Sequence, residues 1–510
     1  MTAVLLALPI LLPTLGAGAS LLGLPRAVVR TAGVVLLAAV AACGAALLVL
    51  ADRDGPQTLH AGDWPAPLGI TLVADRLSAL LLTVSALVAL AVLLFAIGQG
   101  TAEERRGAAL AFHPAYLVLV TGLSLAFLTG DLFNLFVAFE VMLAASYVLI
   151  TLDGDENRTR AGMTYTIVSL TSSLLFLALV ALVYASTGTV TLAQLGPRIA
   201  ELPDGLRSAL ALLLLSVLGI KAAIVPLHFW LPDSYPTAPS PITAVFAALL
   251  TKVGVYALLR TQTLLFPRTE VWLLLACAAI ITMILGILGA LAQDDLNRLL
   301  SFTLVSHIGF MLFGLALFDT AGLTGTILYI VHHIVVQAAL FLVTDLIVLR
   351  TDTAALHLLR RWPRPGPVVV ALFLVPALSL SGIPPFSGFV AKLALLQAAV
   401  ARGGPTAYLL AGTALVTSLL TLYTMSRVWT AAFMGHPPGR APTDEAPAAA
   451  PASGLRRGKG LMLAATAGMA AAGVAVAVCA GPLARVSERA AEDLLRPHAY
   501  RSAVMEGTGR

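Results

Sequence analysis

Charge is scarce in this sequence: Asp, Glu, Lys and Arg make up 11% of 510 residues, against 59% hydrophobic. That balance, with a mean hydropathy of +0.94, excludes a solvated globular domain and places the chain among polytopic membrane proteins. Lysine is scarcer still. Only Lys221, Lys252, Lys392 and Lys459 occur, and the first three lie within apolar runs, whereas nearly all loop cations are arginine. The net charge of +5 is scattered over loops rather than gathered into a stripe, which excludes nucleic acid as a partner and fits loops facing anionic lipid. Cys43, Cys277 and Cys479 stand singly with no CxxC spacing, so neither a disulfide framework nor a metal site is expected. Phosphate loops, nucleophile constellations and HxxxH patterns are also missing. No cofactor and no hydrolytic or redox centre is expected.

What the chain has in abundance is apolar runs of bilayer-crossing length, about 18 to 25 residues. They fall at 3–23, 31–50, 77–98, 113–129, 131–151, 162–186, 207–229, 241–262, 271–292, 298–318, 322–348, 366–400, 406–434 and 460–480. The expected fold is therefore all-α and polytopic, with about 14 transmembrane helices. The N-terminal run lacks a basic flank and reads as an uncleaved first span rather than a signal peptide. Arg26, Arg30, Arg105, Arg106, Arg158, Arg160, Arg350, Arg360, Arg361, Arg364, Arg440, Arg456, Arg457 and Lys459 recur on one loop parity. The positive-inside rule makes that side cytoplasmic and puts both termini outside. Residues 435–459 are rich in Pro, Ala and Gly and read as a flexible cytoplasmic loop. Leu483–Leu495 has an amphipathic pattern, expected to lie on the membrane surface.

Two of the runs are interrupted. "SVLGIKAAIVPLHFWLPDSYPTAPSP" (216–241) carries Pro226, Pro232 and Pro236 just after Lys221, and "LSLSGIPPFSGFVAKLALLQAA" (378–399) carries Pro384 and Pro385 before Lys392. Proline removes a donor from the helical ladder and clashes with the preceding turn. In lipid the freed backbone groups need protein or water around them, so the breaks are expected to line hydrated cavities. They fall in the seventh and twelfth spans, an odd separation that turns the second unit upside down relative to the first. Inverted repeats with discontinuous helices at mid-depth mark ion-coupled transporters.

The buried ionisable residues continue the pattern. Glu140 lies nine residues beyond Asp131, roughly 14 Å into its span, where an isolated carboxylate is costly and a partner on a neighbouring helix is expected. Lys221 is that expected partner. Such a pair titrates as a unit, and a buried lysine, unlike arginine, can shed its proton near neutral pH. Lys252, His307, His333 and Lys392 extend the line through successive spans, and His228, Asp233, His332 and Gln337 are further candidates for relay or gating. A lone histidine in a helix is usually structural, but several titratable groups in one bundle are too expensive to serve packing alone. Asp233, Asp294, Asp295 and Arg298 stand at helix ends, where solvated caps and surface pairs are the default.

These residues resemble a family. "GDLFNLFVAFEVMLAASYVLI", "GIKAAIVPLHFWLPDSYPTAPSPITAVFAALLTKVGVYALLR", "QDDLNRLLSFTLVSHIGFM" and "SGIPPFSGFVAKLALLQAA" look like the proton-pumping antiporter-like subunits shared by respiratory complex I and the multisubunit Mrp sodium/proton antiporters. Within that family "ASTGTVTLAQL" and "TLYTMSRVWTAAFMG" point to the Mrp branch and its D-type subunits. The resemblance implies three N-terminal spans (1–112), a five-helix repeat (113–262), a second, inverted five-helix repeat (271–434), the loop 435–459, and a last span with a tail (460–510). It also implies roles: Glu140 and Lys221 as a charge pair, Lys252 as bridging lysine, His307 and His333 as connectors, and Lys392 as terminal lysine. Many relatives place a lysine where this chain has Gln337, which can hold a water chain but cannot titrate.

The expected function is thus proton translocation along a buried Glu/Lys/His axis, in a subunit of a multisubunit sodium/proton antiporter of a bacterial cell membrane. Its expected partners are other membrane subunits, the bilayer, and protons, with sodium as the exchanged cation. Two alternatives stand beside it: a pumping subunit of a complex I-like quinone oxidoreductase or membrane-bound hydrogenase, and a scaffold whose charges only fix helix packing.

Overall fold

The computed structural model describes residues 2–100, 106–152, 154, 156–266, 271–361, 365–434 and 455–506. The chain opens with α1 (Thr2–Ser20), α2 (Arg26–Asp54) and α3 (Arg76–Gln99). Between the last two a short hairpin pairs β1 (Gln57–His60) antiparallel to β2 (Thr71–Ala74), with Gln57 opposite Ala74 and His60 opposite Thr71. Asp75 starts α3 with a reciprocal cap: its carboxylate accepts from the Ser78 N–H, and the Ser78 hydroxyl accepts from the Asp75 N–H, both at 2.9 Å.

Next come α4 (Arg106–Leu128), α5 (Leu132–Thr151), α6 (Glu156–Thr187), the lateral α7 (Leu192–Ala200) and α8 (Asp204–Ala222). After a break, α9 (Trp230–Ser234) leads to one long span built from α10 (Ser240–Val245), a π turn over Phe246–Leu250, and α11 (Thr251–Leu264). The following unit holds α12 (Trp272–Leu291), α13 (Leu296–Leu317), α14 (Thr320–Thr351), the lateral α15 (Leu356–Leu359), the half-helices α16 (Pro367–Ser381) and α17 (Ser387–Arg402), and α18 (Pro405–Phe433). Finally come α19 (Leu455–Val478), α20 (Ala480–Leu495) and α21 (His498–Glu506).

Thirteen of these helical stretches among the described residues are long and apolar enough to cross a bilayer. The expected run at 366–400 is the exception because it is split: α16 and α17 have 15 and 16 residues and meet at Gly382–Phe386. The run at 207–229 likewise stops at Ala222, where Ala223 turns left-handed at φ 58°. Burial sorts the spans. The apolar windows of Ser240–Leu264 and Thr320–Thr351 are 100% enclosed and that of Leu296–Leu317 94%, against 22% for α1. The helices carrying Lys252, His307, His332 and His333 therefore form the centre of the bundle, and the remaining spans wrap it.

One hydrogen-bonding device occurs twice. Asp131 caps α5 by accepting from the Asn134 N–H at 2.8 Å, while Leu132 N–H donates to Val190 O and Leu192 N–H to Gly130 O. Asp295 caps α13 by accepting from the Arg298 N–H at 2.9 Å, while Leu296 N–H donates to Ala354 O and Leu356 N–H to Asp294 O. In each, the start of a span is stitched to the start of a lateral helix, α7 or α15.

One expectation is revised. The amphipathic segment after Pro482 forms α20, but its Ser487, Ala490, Ala491 and Leu494 face is covered by α14, α3 and α11 rather than left to the membrane surface. Arg489 and Asp493 fasten it further, to Asp52 at 2.8 Å and to Arg76 at 2.7 Å. An apolar stripe of this kind reads the same in sequence whether lipid or protein covers it. The flexible loop expected at 435–459 falls mostly outside the described residues, and from Leu455 onward the chain is helical. Arg105, Arg364 and Arg440, used for the orientation, also lie outside them.

Candidate functional site

Lys221 is the penultimate residue of α8, held at the helix break by the left-handed turn at Ala223. Its ammonium donates to the Ser173 hydroxyl at 2.8 Å and to the Ser169 carbonyl at 3.3 Å, and lies 5.7 Å from the centroid of the Phe139 ring. The expected direct contact with Glu140 is not made. Among the described residues no ion pair joins the two, and Glu140 is half-buried with Oε1 lacking a hydrogen-bond partner. The difference lies in azimuth: α6 packs against α5 and α8 alike and offers the ammonium the nearer oxygens, those of Ser169 and Ser173. Beside Lys221 a cavity of about 20 Å³ is lined by Tyr165, Ser169, Trp230 and Tyr235, enough for one water. The Tyr235 hydroxyl that faces this region has no hydrogen-bond partner.

Lys252 follows directly. Gly254, half a turn beyond it, lets α11 meet α8 backbone to backbone: a Cβ at 254 would stand 2.7 Å from Ala222 N and 2.9 Å from Lys221 C. The Lys252 ammonium is fully buried and donates to Ala247 O at 2.5 Å. That carbonyl belongs to the π turn over Phe246–Leu250, a local widening of the kind that recurs at functional sites.

From Lys252 the polar line enters the bundle centre. His333 is completely buried, and neither ring nitrogen has a hydrogen-bond partner. Its ring centroid is 5.2 Å from that of His307, whose Nδ1 shares a 2.7 Å hydrogen bond with the Tyr329 hydroxyl and whose Nε2 is 3.5 Å from the Thr421 hydroxyl. His332, on the other side of α14, bonds the Ser387 hydroxyl at 2.9 Å, and Ser387 lies 3.0 Å from Ser379 across the second break. Lys392 ends the line. Its ammonium donates to Leu380 O at 2.9 Å and Ser381 O at 3.1 Å, the carbonyls freed where α16 stops, and sits 5.0 Å over the Phe310 ring. The charges of Lys252 and Lys392 both reach His307 and His333, and that of Lys392 reaches His332.

The other expected residues divide. Gln337 is fully buried and donates its amide to Leu300 O at 3.1 Å, leaving Oε1 unpartnered. Asp233 is not part of the line: it pairs with Arg298 at 2.8 Å, both exposed, the surface arrangement that helix ends favour. His228 is half-buried beside Phe302, at 6.4 Å between centroids. Pro226 stands in the first break, Pro232 and Pro236 in the short helical turns after it, and Pro384 and Pro385 between α16 and α17. Sequence reasoning missed Tyr329, Ser169, Ser173, Ser387 and Thr421. Tyr329 had a signal, because it precedes His332 and His333 by three and four residues and so shares their face of the helix; the serines and threonines had none.

With this geometry in place, similarity to known proteins is specific. The family model described as NADH:quinone oxidoreductase/Mrp antiporter, TM matches residues 129–421. The chain is 40% identical over 387 residues to the D subunit of the Na(+)/H(+) antiporter of Alkalihalophilus pseudofirmus, spanning 75% of this chain and 77% of that one. The protein of the same name from Bacillus subtilis is 39% identical over 384 residues, with the same two shares. Among solved structures, a chain of the Mrp complex from Dietzia sp. DQ12-45-1b superposes with a TM-score of 0.88 at 32% identity, over 98% of this chain and 99% of that one. A chain of respiratory complex I from Thermus thermophilus shares the fold, with a TM-score of 0.78 at 24% identity over 97% and 99%. The match over more than half of the chain, including the spans that carry Glu140, Lys221, Lys252, His307, His332, His333 and Lys392, makes this chain a member of the NADH:quinone oxidoreductase/Mrp antiporter transmembrane family.

Proposed function

We propose that the chain is a proton-translocating subunit of a multisubunit sodium/proton antiporter, working in a bacterial cell membrane beside other membrane subunits. One observation carries the reading: Lys221, Lys252, His307, His333 and Lys392 form a buried file with no carboxylate paired to any of them among the described residues. A structural lysine at this depth would be matched with a counter-ion or replaced by an apolar residue at no loss. These ammonium groups instead rest on hydroxyls and carbonyls, acceptors that hold a proton without trapping it. Placing a charge on one member disfavours a charge on the next, so a proton taken up near Glu140 and Lys221 favours release further along. Lys392 is the terminus of the file and the group that exchanges with one aqueous face.

Two five-helix units of opposite orientation belong to the same reading, supported by the paired caps at Asp131 and Asp295 and by the five crossings between them. The relatives at 40% and 39% identity are antiporter subunits, which favours cation/proton exchange over a redox-driven pump and a transporter subunit over an enzyme. Lys221→Ala is the test: antiport by everted vesicles should fall to the background rate while the complex still assembles. Wild-type exchange by this variant would sink the proposal.

A further inference from the structure

The buried file does not use one ionisable side chain of the central helix. Asp345 lies in α14 and is 4% exposed, about 9 Å short of the helix end at Thr351 by helical rise. Among the described residues no cation pairs with it. Its Oδ2 accepts a 3.0 Å hydrogen bond from the Gln99 amide at the end of α3, and the Ser240 hydroxyl at the start of α10 faces it. Gln99 and Ser240 are only half-buried, so they lead from the carboxyl toward the surface. An intramembrane carboxylate held by neutral donors alone is costly, and cost of this kind is normally tolerated for function.

Along α14 the polar groups between Asp345 and the histidines are left open. Thr344, Gln337 and His333 are fully buried, and Thr344 Oγ1, Gln337 Oε1 and both His333 nitrogens have no hydrogen-bond partner. At 100° per residue these three side chains lie within about 40° of one another on the helix. They therefore form a row of unsatisfied polar atoms on one face, which a protein interior ordinarily avoids. Leu340 and Phe341, both buried, interrupt the row between Thr344 and Gln337.

We propose that Asp345 is a proton carrier that joins the aqueous face at the α14 C-terminus to His333, through Thr344, the Leu340/Phe341 constriction and the Gln337 carbonyl. Between Thr344 and Gln337, where Leu340 and Phe341 offer no lone pair, water entering the gap carries the proton; at every transfer a proton leaves one oxygen or nitrogen as the next lone pair accepts it, so no other reactant is consumed. Gln337 then has a stated part: it cannot titrate, but its carbonyl oxygen can hold the water that passes the proton on. This inference rests on the proposed antiport function and adds an access route to it.

The experiment compares Asp345→Asn, Asp345→Glu and Lys221→Ala in the assembled complex, reading antiport in everted vesicles and the amount of complex in the membrane. Asp345→Asn should lower the rate at least ten-fold with assembly unchanged, and Asp345→Glu should recover most of it. Wild-type transport by Asp345→Asn, with Lys221→Ala inactive, overturns the route and leaves the function standing. Wild-type transport by Lys221→Ala overturns the function itself. If Asp345→Asn reduces assembly, Thr344→Val decides: transport lost with valine and regained with Thr344→Ser upholds the route, and unchanged transport with valine overturns it.

Discussion

Tyr329 shows how much a single hydroxyl can hold in place here. It is fully buried, bonds His307 Nδ1 at 2.7 Å, and its ring stacks on Phe310 at 5.0 Å and lies 6.3 Å from His333. The hydrogen bond fixes which way the His307 ring faces and which nitrogen is free to meet the next group. Tyr329→Phe keeps the ring and removes the oxygen, leaving a buried imidazole nitrogen unpaired at a cost of about 1–3 kcal/mol. Transport should drop several-fold with the complex still assembled, measured as the initial rate of proton release from preloaded vesicles; an unchanged rate would show that His307 orientation is not limiting. The same scale explains why Glu140 and Lys221 could be picked out from sequence while their contact could not. Counting residues from Asp131 and from the break sets depth, whereas the choice between Glu140 and Ser173 as the ammonium's partner depends on the rotation of α6, which no spacing encodes.

The element on which most depends is α11, because it carries Lys252 and is fixed at both ends. At its start the glycine contact with α8 sets the distance to Lys221. At its far end Arg260 pairs with Asp75 at 2.6 Å, both buried, with the rings of Tyr256 and Tyr500 at 5.6 and 5.1 Å from the guanidinium. Burial alone would raise the Asp75 carboxyl, but the Arg260 charge and the hydrogen bonds from Arg260 and Ser78 outweigh it and hold it below its ordinary value. A depressed folded value means the pair's stabilisation is complete above the unfolded carboxylate pKa of about 3.9. It is lost as pH falls through the lower folded value. Neutral pH and the working range of a membrane antiporter therefore leave the clamp intact. Asp75→Asn strands the guanidinium, and breaking a buried pair in this way costs roughly 3–5 kcal/mol. Thermal unfolding of the detergent-solubilised complex should shift several degrees lower in the variant at pH 7, and the difference from wild type should shrink only below about pH 4.

At the scale of the molecule, alternation between apolar runs and loops made most of the fold legible, including the two broken spans, because a bilayer imposes length and hydropathy on every crossing. Three things escaped. The packing of α20 against α14, the short hairpin between α2 and α3, and the stitching of α7 and α15 to the starts of α5 and α13 all depend on contacts between distant segments. The last of these carries the strongest prediction about the whole architecture. If the paired stitches belong to units of opposite orientation, the loop after α7 and the turn after α15 must open to opposite sides of the membrane. Asp204 and Arg360 mark them, both exposed, whereas the native Cys43 is buried, Cys277 lies on an apolar span and Cys479 directly follows one. With Asp204→Cys and Arg360→Cys in separate copies lacking the native thiols, a membrane-impermeant maleimide should label the thiol at position 204 in intact cells and the thiol at position 360 only in everted vesicles. Labelling of both from the same side would remove the inversion, and with it the reading of the bundle as two five-helix units of opposite orientation.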